Sequence, residues 1–173
     1  MLPEGQEHYF LQDYPTVARK APLLIQQNHS NSDIFDCYVD DAISYSDLKW
    51  ELERHGFGLL TEDEWEYCCG ASCRRLFKWG NQLKRQLFQS NTSLLWKENM
   101  FGLTIANAEF GPELIDDVSF TKGGWLEEIH KAPIINLLPL SSYYRGEGIE
   151  DKEKELIPGY YCVRRVIRID LNG

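Results

Sequence analysis

The stretch Leu59-Leu60-Thr61-Glu62-Asp63-Glu64-Trp65-Glu66-Tyr67-Cys68-Cys69-Gly70 decides how this chain is read. Thr61 followed three residues later by Glu64 is a capping box. The Thr61 hydroxyl accepts from the Glu64 backbone N–H, and the Glu64 carboxylate reaches back to the N–H of Thr61. Glu62, Asp63 and Glu64 crowd the first turn, where the positive end of the helix dipole favours them. Trp65, Cys68 and Cys69 recur at i, i+3 and i+4, so one face of the helix is apolar. Gly70 is expected to end it.

Working toward the N-terminus, a helix is expected from about Asp40. Ala42, Tyr45, Leu48 and Leu52 fall at three- and four-residue steps on one face. Asp40 or Asp41 caps its start. Arg54 and His55 occupy its last turn and Gly56 follows as the C′ residue. Residues 1–36 are polar and punctuated by Pro3, Pro15 and Pro22, with Leu23-Leu24-Ile25 as a short strand. That part is either a strand-bearing piece of the domain or a peripheral arm on a 37–173 core.

Toward the C-terminus the pattern is short apolar pieces between turn residues: Trp79-Gly80-Asn81, Phe101-Gly102-Leu103, Gly111-Pro112 and Gly123-Gly124-Trp125. Glu147 to Glu155 is a charge run expected to be a solvated loop. Tyr160 to Leu171 is rich in Tyr, Val and Ile and reads as a strand. The whole is an α+β chain with few helices, small sheets and much irregular structure.

A length of 173 residues fits a single domain, 1–173, with enough bulk to bury a core without a disulfide or metal. Lys and Arg number 18 against 27 Asp and Glu, a net charge of −9 that disfavours nucleic acid and anionic membrane surfaces. The same balance suits a basic protein partner. The N-terminus lacks a basic stretch followed by an apolar one, and no apolar run reaches membrane-spanning length, so the cytoplasm is the expected location. There Cys37, Cys68, Cys69, Cys73 and Cys162 should be reduced.

The order of these pieces resembles the formylglycine-generating enzyme family, also called the sulfatase-modifying-factor family, over about residues 39 to 165. The resemblance is carried by Leu60-Thr61-Glu62-Asp63-Glu64-Trp65-Glu66-Tyr67, then Trp79-Gly80-Asn81, Asn99-Met100-Phe101-Gly102-Leu103, Gly123-Gly124-Trp125 and the closing Gly159-Tyr160-Tyr161-Cys162 strand. It implies a fold related to C-type lectins, with long loops stapled by aromatic side chains. Trp65, Trp79 and Trp125 match the family's structural tryptophans, which implies core packing; Trp96 has no counterpart.

Departures from the family bear on function. Its oxidising members hold copper with two cysteines located between the Gly-Gly-Ser-Trp piece and the final Gly-Phe-Arg piece. Residues 126–158 of this chain contain no cysteine, and soft Cu(I) requires thiolate. At the family's calcium motif, Glu113 falls at the Glu position and Phe110 where Asn is expected, too few oxygens for calcium. Another branch adds a His-rich iron domain, but His8, His29, His55 and His130 are scattered here.

Other chemistry is weighed residue by residue. Cys68, Cys69 and Cys73 form Cys-Cys-x-x-x-Cys; Cys68 and Cys69 fall where the family has Ala-Ala and read as small buried hydrophobes, with a metal or redox role as the alternative. Cys73 precedes Arg74 and Arg75, cations that would activate a thiol. Asp116-Asp117 and Glu127-Glu128 are neighbours in sequence and point apart, unlike a glycosidase pair. Arg164, Arg165 and Arg168 are too few to draw nucleic acid against the net charge.

Ser141, Ser142, Tyr143, Tyr144 and Arg145 sit where the family carries its active-site loop, and this mix is typical of a protein-binding surface. The expectation is therefore a non-catalytic binding module without metal or cofactor, an acidic inhibitor or immunity-type protein for a basic partner. The alternatives are an enzyme with a rebuilt thiol or metal site and a carbohydrate-binding, lectin-like module.

Overall fold

The computed structural model of the chain describes residues 23–25, 43–71, 73–82, 97–106, 111–126 and 134–169. It is a mixed α and β protein, with two α-helices and two small sheets among the described residues. In chain order the elements are β1 (Leu23–Ile25), α1 (Tyr45–Arg54), α2 (Glu62–Gly70), β2 (Glu113–Ile115), β3 (Asp117–Lys122), a 3-10 helix (Ile134–Leu140), β4 (Cys162–Val163) and β5 (Val166–Arg168).

Helix α1 starts later than the apolar spacing implies. Its cap is Ser44, whose hydroxyl accepts from the Asp47 N–H at 3.1 Å. Ser44 is in extended conformation and bridges Glu155, so the chain enters the helix straight from a strand-like pairing. Asp40, Asp41 and Ala42 lie outside the described residues. Tyr45, Leu48 and Leu52 form the buried face, and Gly56 takes the left-handed turn after the helix with φ +77°.

Helix α2 has its capping box: Thr61 N–H donates to Glu64 Oε2 at 2.8 Å, and Glu64 N–H to Thr61 Oγ1 at 3.3 Å. Its end differs from expectation. Gly70 is still helical and the left-handed residue is Ala71, φ 48°. The last carbonyls are met by the Ala71 N–H, which donates to Tyr67 O and Cys68 O, and also by a distant side chain. Asn99 Nδ2 donates to Cys68 O at 2.6 Å and Cys69 O at 3.3 Å. Its Oδ1 accepts from the N–H groups of Phe101 and Leu103, which folds the 99–103 turn around the same side chain.

Strand β2 is the centre of a three-stranded sheet, antiparallel to β3 and parallel to β4. All three of its residues are buried. Because strand side chains alternate in direction, Leu114 joins Tyr45, Leu48, Leu52, Leu59 and Val163 against α1. Ile115 joins Leu60, Trp65, Cys68, Cys69, Leu103 and Val166 against α2. The neighbours Leu59 and Leu60 divide in the same way. A third cluster of Phe77, Leu137 and Leu140 packs beside Trp79.

The segment expected as one strand from Tyr160 is two. β4 lies beside β2, and β5 pairs antiparallel with β1, Leu24 opposite Ile167. The chain changes sheets at Arg164, whose side chain is withdrawn wholly from solvent. Arg164 Nε donates to Glu113 Oε1 at 3.0 Å and Nη2 to Thr104 O at 2.8 Å. One cation thus joins β2, β4 and the 99–106 segment.

A buried ion pair costs most when only one partner is removed. Arg164→Met should lower stability by about 3–5 kcal/mol, and Glu113→Leu with Arg164→Met together by clearly less than the two singles summed. Urea unfolding of the four proteins measures this, and strict additivity would contradict it.

Candidate protein-binding loop

The five residues expected to meet a partner divide into an inner and an outer set. Ser141 and Ser142 are buried. Ser141 N–H donates to Leu138 O at 2.8 Å, and its hydroxyl accepts from the Tyr143 N–H at 3.2 Å. Ser142 N–H donates to Leu76 O, and its hydroxyl lies 3.4 Å from Cys69 Sγ. These two serines fasten the start of the loop to the core. Tyr143 and Tyr144 are half-buried and the Arg145 side chain is 62% exposed, so these three reach the surface.

The loop that follows is laced to β3. Gly146 N–H donates to Thr121 O at 2.8 Å, the Thr121 hydroxyl to Glu147 O at 3.0 Å, and Ile149 N–H to Val118 O at 2.8 Å. Gly148 permits this approach: a Cβ there would stand 2.2 Å from Ser119 O, inside van der Waals contact. Residues 141–149 are therefore held as a defined surface even though they contain no strand.

An ionic cluster lies under the loop. Lys122 has no solvent exposure, and its Nζ is 3.0 Å from Glu62 Oε1 and 2.7 Å from Glu66 Oε1. The ammonium also lies 5.5 Å from the Trp65 ring centroid. Arg145 grips Glu62 with two bonds, Nε at 2.7 Å and Nη2 at 2.6 Å, and its guanidinium sits 4.5 Å from the Phe120 ring. Glu62 thus carries the outward-facing arginine and the buried lysine together.

The carboxylates titrate in opposite directions. Burial would raise Glu62, but hydrogen bonds from Arg145 and Lys122 and their charges hold it below the ordinary range. Burial likewise opposes, and the Arg168 and Thr61 hydrogen bonds overcome it, at Glu64, which is also lowered. Glu66 is raised: burial dominates the single bond from Lys122, and neighbouring Glu62 adds repulsion.

The remaining candidates have structural placements. Burial pushes the thiol of Cys68 up to about 12 and those of Cys69 and Cys162 to about 11, which makes them poor nucleophiles at neutral pH. Cys73 is half-buried; Cys37 lies outside the described residues. Among the described residues, no group of three His, Cys, Asp or Glu side chains converges as a metal site. Glu113, expected at the position of the family's calcium-binding Glu, is bonded to Arg164, which does not suit a calcium ligand; Phe110 is outside the described residues. Of the histidines only His55 is described, at 3.0 Å from Glu51 on the surface. Asp116 pairs with Lys49 and Asp117 accepts from the Ser119 N–H. Glu127 and Glu128 are outside the described residues.

Among the tryptophans, Trp65 is fully buried and Trp79 stacks on Phe77 at 4.9 Å, while Trp125 is 46% exposed, against the expectation of core packing. It lies against Gly111 at the edge of the molecule. Trp96 is outside the described residues. Arg168 donates to both oxygens of Glu64, so with Arg164 it serves the fold.

In the sequence Lys122 stands before a Gly-Gly turn and reads as a surface residue. Its partners are 56 and 60 positions away, and only the acidic spacing Glu62, Glu66 on one helix face hinted at a cation between them. No known protein-family model matches the chain, and no curated protein is significantly similar to it. Among the described residues no helix is long and apolar enough to cross a membrane.

The pKa directions give a signed pH dependence. Depressed groups contribute stability above their unfolded value and lose it as pH falls through the folded one; a raised acid does the reverse. Glu62 and Glu64 therefore make the protein less stable below the ordinary glutamate value of 4.5, and Glu66 opposes them. In urea unfolding at successive pH values, Glu62→Gln should flatten the acid loss and Glu66→Gln should steepen it. Parallel curves for all three proteins would contradict the assignment.

Proposed function

We propose that the chain is a non-catalytic protein-binding module on a scaffold like that of the formylglycine-generating enzyme family, a C-type-lectin-related α+β fold. Tyr143, Tyr144 and Arg145 form its contact surface. The observation that carries this reading is the lacing of residues 141–149 to β3 and to Glu62. A loop fixed in advance loses little conformational freedom on binding, so more of its contact energy appears as affinity. Two tyrosines and an arginine are the side chains most often responsible for such energy.

Charge supports the kind of partner. Glu147 in the loop and Glu150, Asp151, Glu153 and Glu155 after it are exposed. With the net charge of −9, they would draw in a basic protein, as an acidic cytoplasmic inhibitor or immunity-type protein does. The thiol-enzyme alternative is disfavoured at Cys68, Cys69 and Cys162 by their buried, raised thiols, which leaves the half-buried Cys73 as its candidate, and the calcium-dependent lectin alternative by the Arg164 bond to Glu113.

The test is capture with tagged protein from its own cells, in parallel with Tyr144→Ala and Arg145→Glu. One basic partner should be retained in stoichiometric amount by the parent, reduced by each variant, and released as salt shortens the Debye length from about 10 Å toward 3 Å. A protein that emerges alone, or a partner held equally by the variants, would overturn the reading.

A further inference from the structure

A second recognition feature lies away from residues 143–145. A groove of about 460 Å³ opens between α1, the β2–β3 turn and the segment at Lys152. Trp50 stands at its side with 59% of its surface exposed. An indole left in solvent on a helix whose other large apolar side chains are buried is not required by the core. The floor is Tyr45, whose hydroxyl is used up in a 2.7 Å bond to Ile115 O.

The charges of the groove do not cancel. Lys49 is matched by Asp116, and Lys152 lies 3.9 Å from Glu153. Glu53 and Asp117 also line the groove, and among the described residues neither forms an ion pair. Asp117 uses Oδ1 for the Ser119 N–H at 2.8 Å. The field is felt at the floor: burial first, then the charges of Asp116 and Asp117, raise the Tyr45 phenol. Trp50 itself already accommodates one cation, with the Arg54 guanidinium 5.3 Å from its ring centroid.

We infer that this groove is a binding site for the guanidinium of an arginine side chain presented by a partner protein, stacked on Trp50 and bonded to Glu53 and Asp117. The planar guanidinium suits an indole face and a carboxylate fork together, whereas an ammonium is a compact, strongly hydrated charge that stacks poorly. Among the lining residues the carboxylates Glu53, Asp116 and Asp117 outnumber the cations Lys49 and Lys152 by one, which disfavours an anionic ligand. The inference stands on Trp50 and the two carboxylates and does not depend on the loop at 141–149.

The test is an NMR titration of the full chain with N-acetyl-arginine amide as probe, compared with N-acetyl-lysine amide and the uncharged isostere N-acetyl-citrulline amide. The Trp50 indole N–H and the amides of Glu53 and Ser119 should shift and saturate with the arginine probe. Binding should be weaker for lysine and absent for citrulline. Glu53→Gln with Asp117→Asn should weaken the arginine probe by about fivefold to tenfold, an effect of the size expected for exposed charge contacts. Both replacements keep the side-chain shape, and Glu53→Gln alone touches only an exposed position of α1, which guards against loss of fold. Equal shifts with citrulline, shifts that avoid Trp50, or arginine binding unchanged in both variants would each overturn the inference.

Discussion

Lys122 is wholly buried, and its charge is met by Glu62 and Glu66 on the first turns of α2. A buried ammonium without such partners would be prohibitively costly. The position of β3 is therefore tied to the position of α2. The same helix places Glu64 against Arg168 of β5 and lends Glu62 to Arg145 of the loop. Three carboxylates on a nine-residue helix thus hold a strand of each sheet and the outward-facing loop. The helix has the means to do so because its own N-terminus is closed by the capping box, and its C-terminus by the Ala71 N–H and Asn99.

From that anchor the architecture follows outward. β2 is buried on both faces, one toward each helix, and Arg164 fastens its first residue to β4. β3 then serves as the rail along which residues 146–149 are laid. The proposed function depends on this last step. A binding loop of irregular backbone is useful only if it keeps one shape, and here the shape is kept by main-chain bonds to Thr121 and Val118, a close approach at Gly148, and a salt bridge at each end of Glu62.

What was legible in the sequence was local. The Thr61–Glu64 box acts across three residues, and the stripe of Trp65, Cys68 and Cys69 acts within one turn, so both can be read without knowing the fold. Leu23-Leu24-Ile25 was legible as a strand from its apolar run, but its partner β5 was not. The missed features depend on distant pairing. Ser44 caps α1 partly because the chain there meets Glu155; the left-handed Ala71 closes α2 with its own N–H on Tyr67 O and Cys68 O, and the distant Asn99 adds bonds to Cys68 O and Cys69 O. Arg164 splits a β-rich segment in two because Glu113 waits 51 residues earlier. In the loop, the residue types Ser, Tyr and Arg pointed to a surface, yet nothing in them distinguishes the two serines that turn inward from the three residues that reach the surface.

The central claim is that residues 141–149 are already ordered in the free protein. Amide hydrogen exchange of the isolated chain measures it directly. Gly146 and Ile149, which donate to Thr121 O and Val118 O, should exchange far more slowly than unstructured amides, and Arg145→Ala should leave Ile149 slow while accelerating Gly146 more. Exchange of both amides at the unprotected rate in the parent protein would contradict the account.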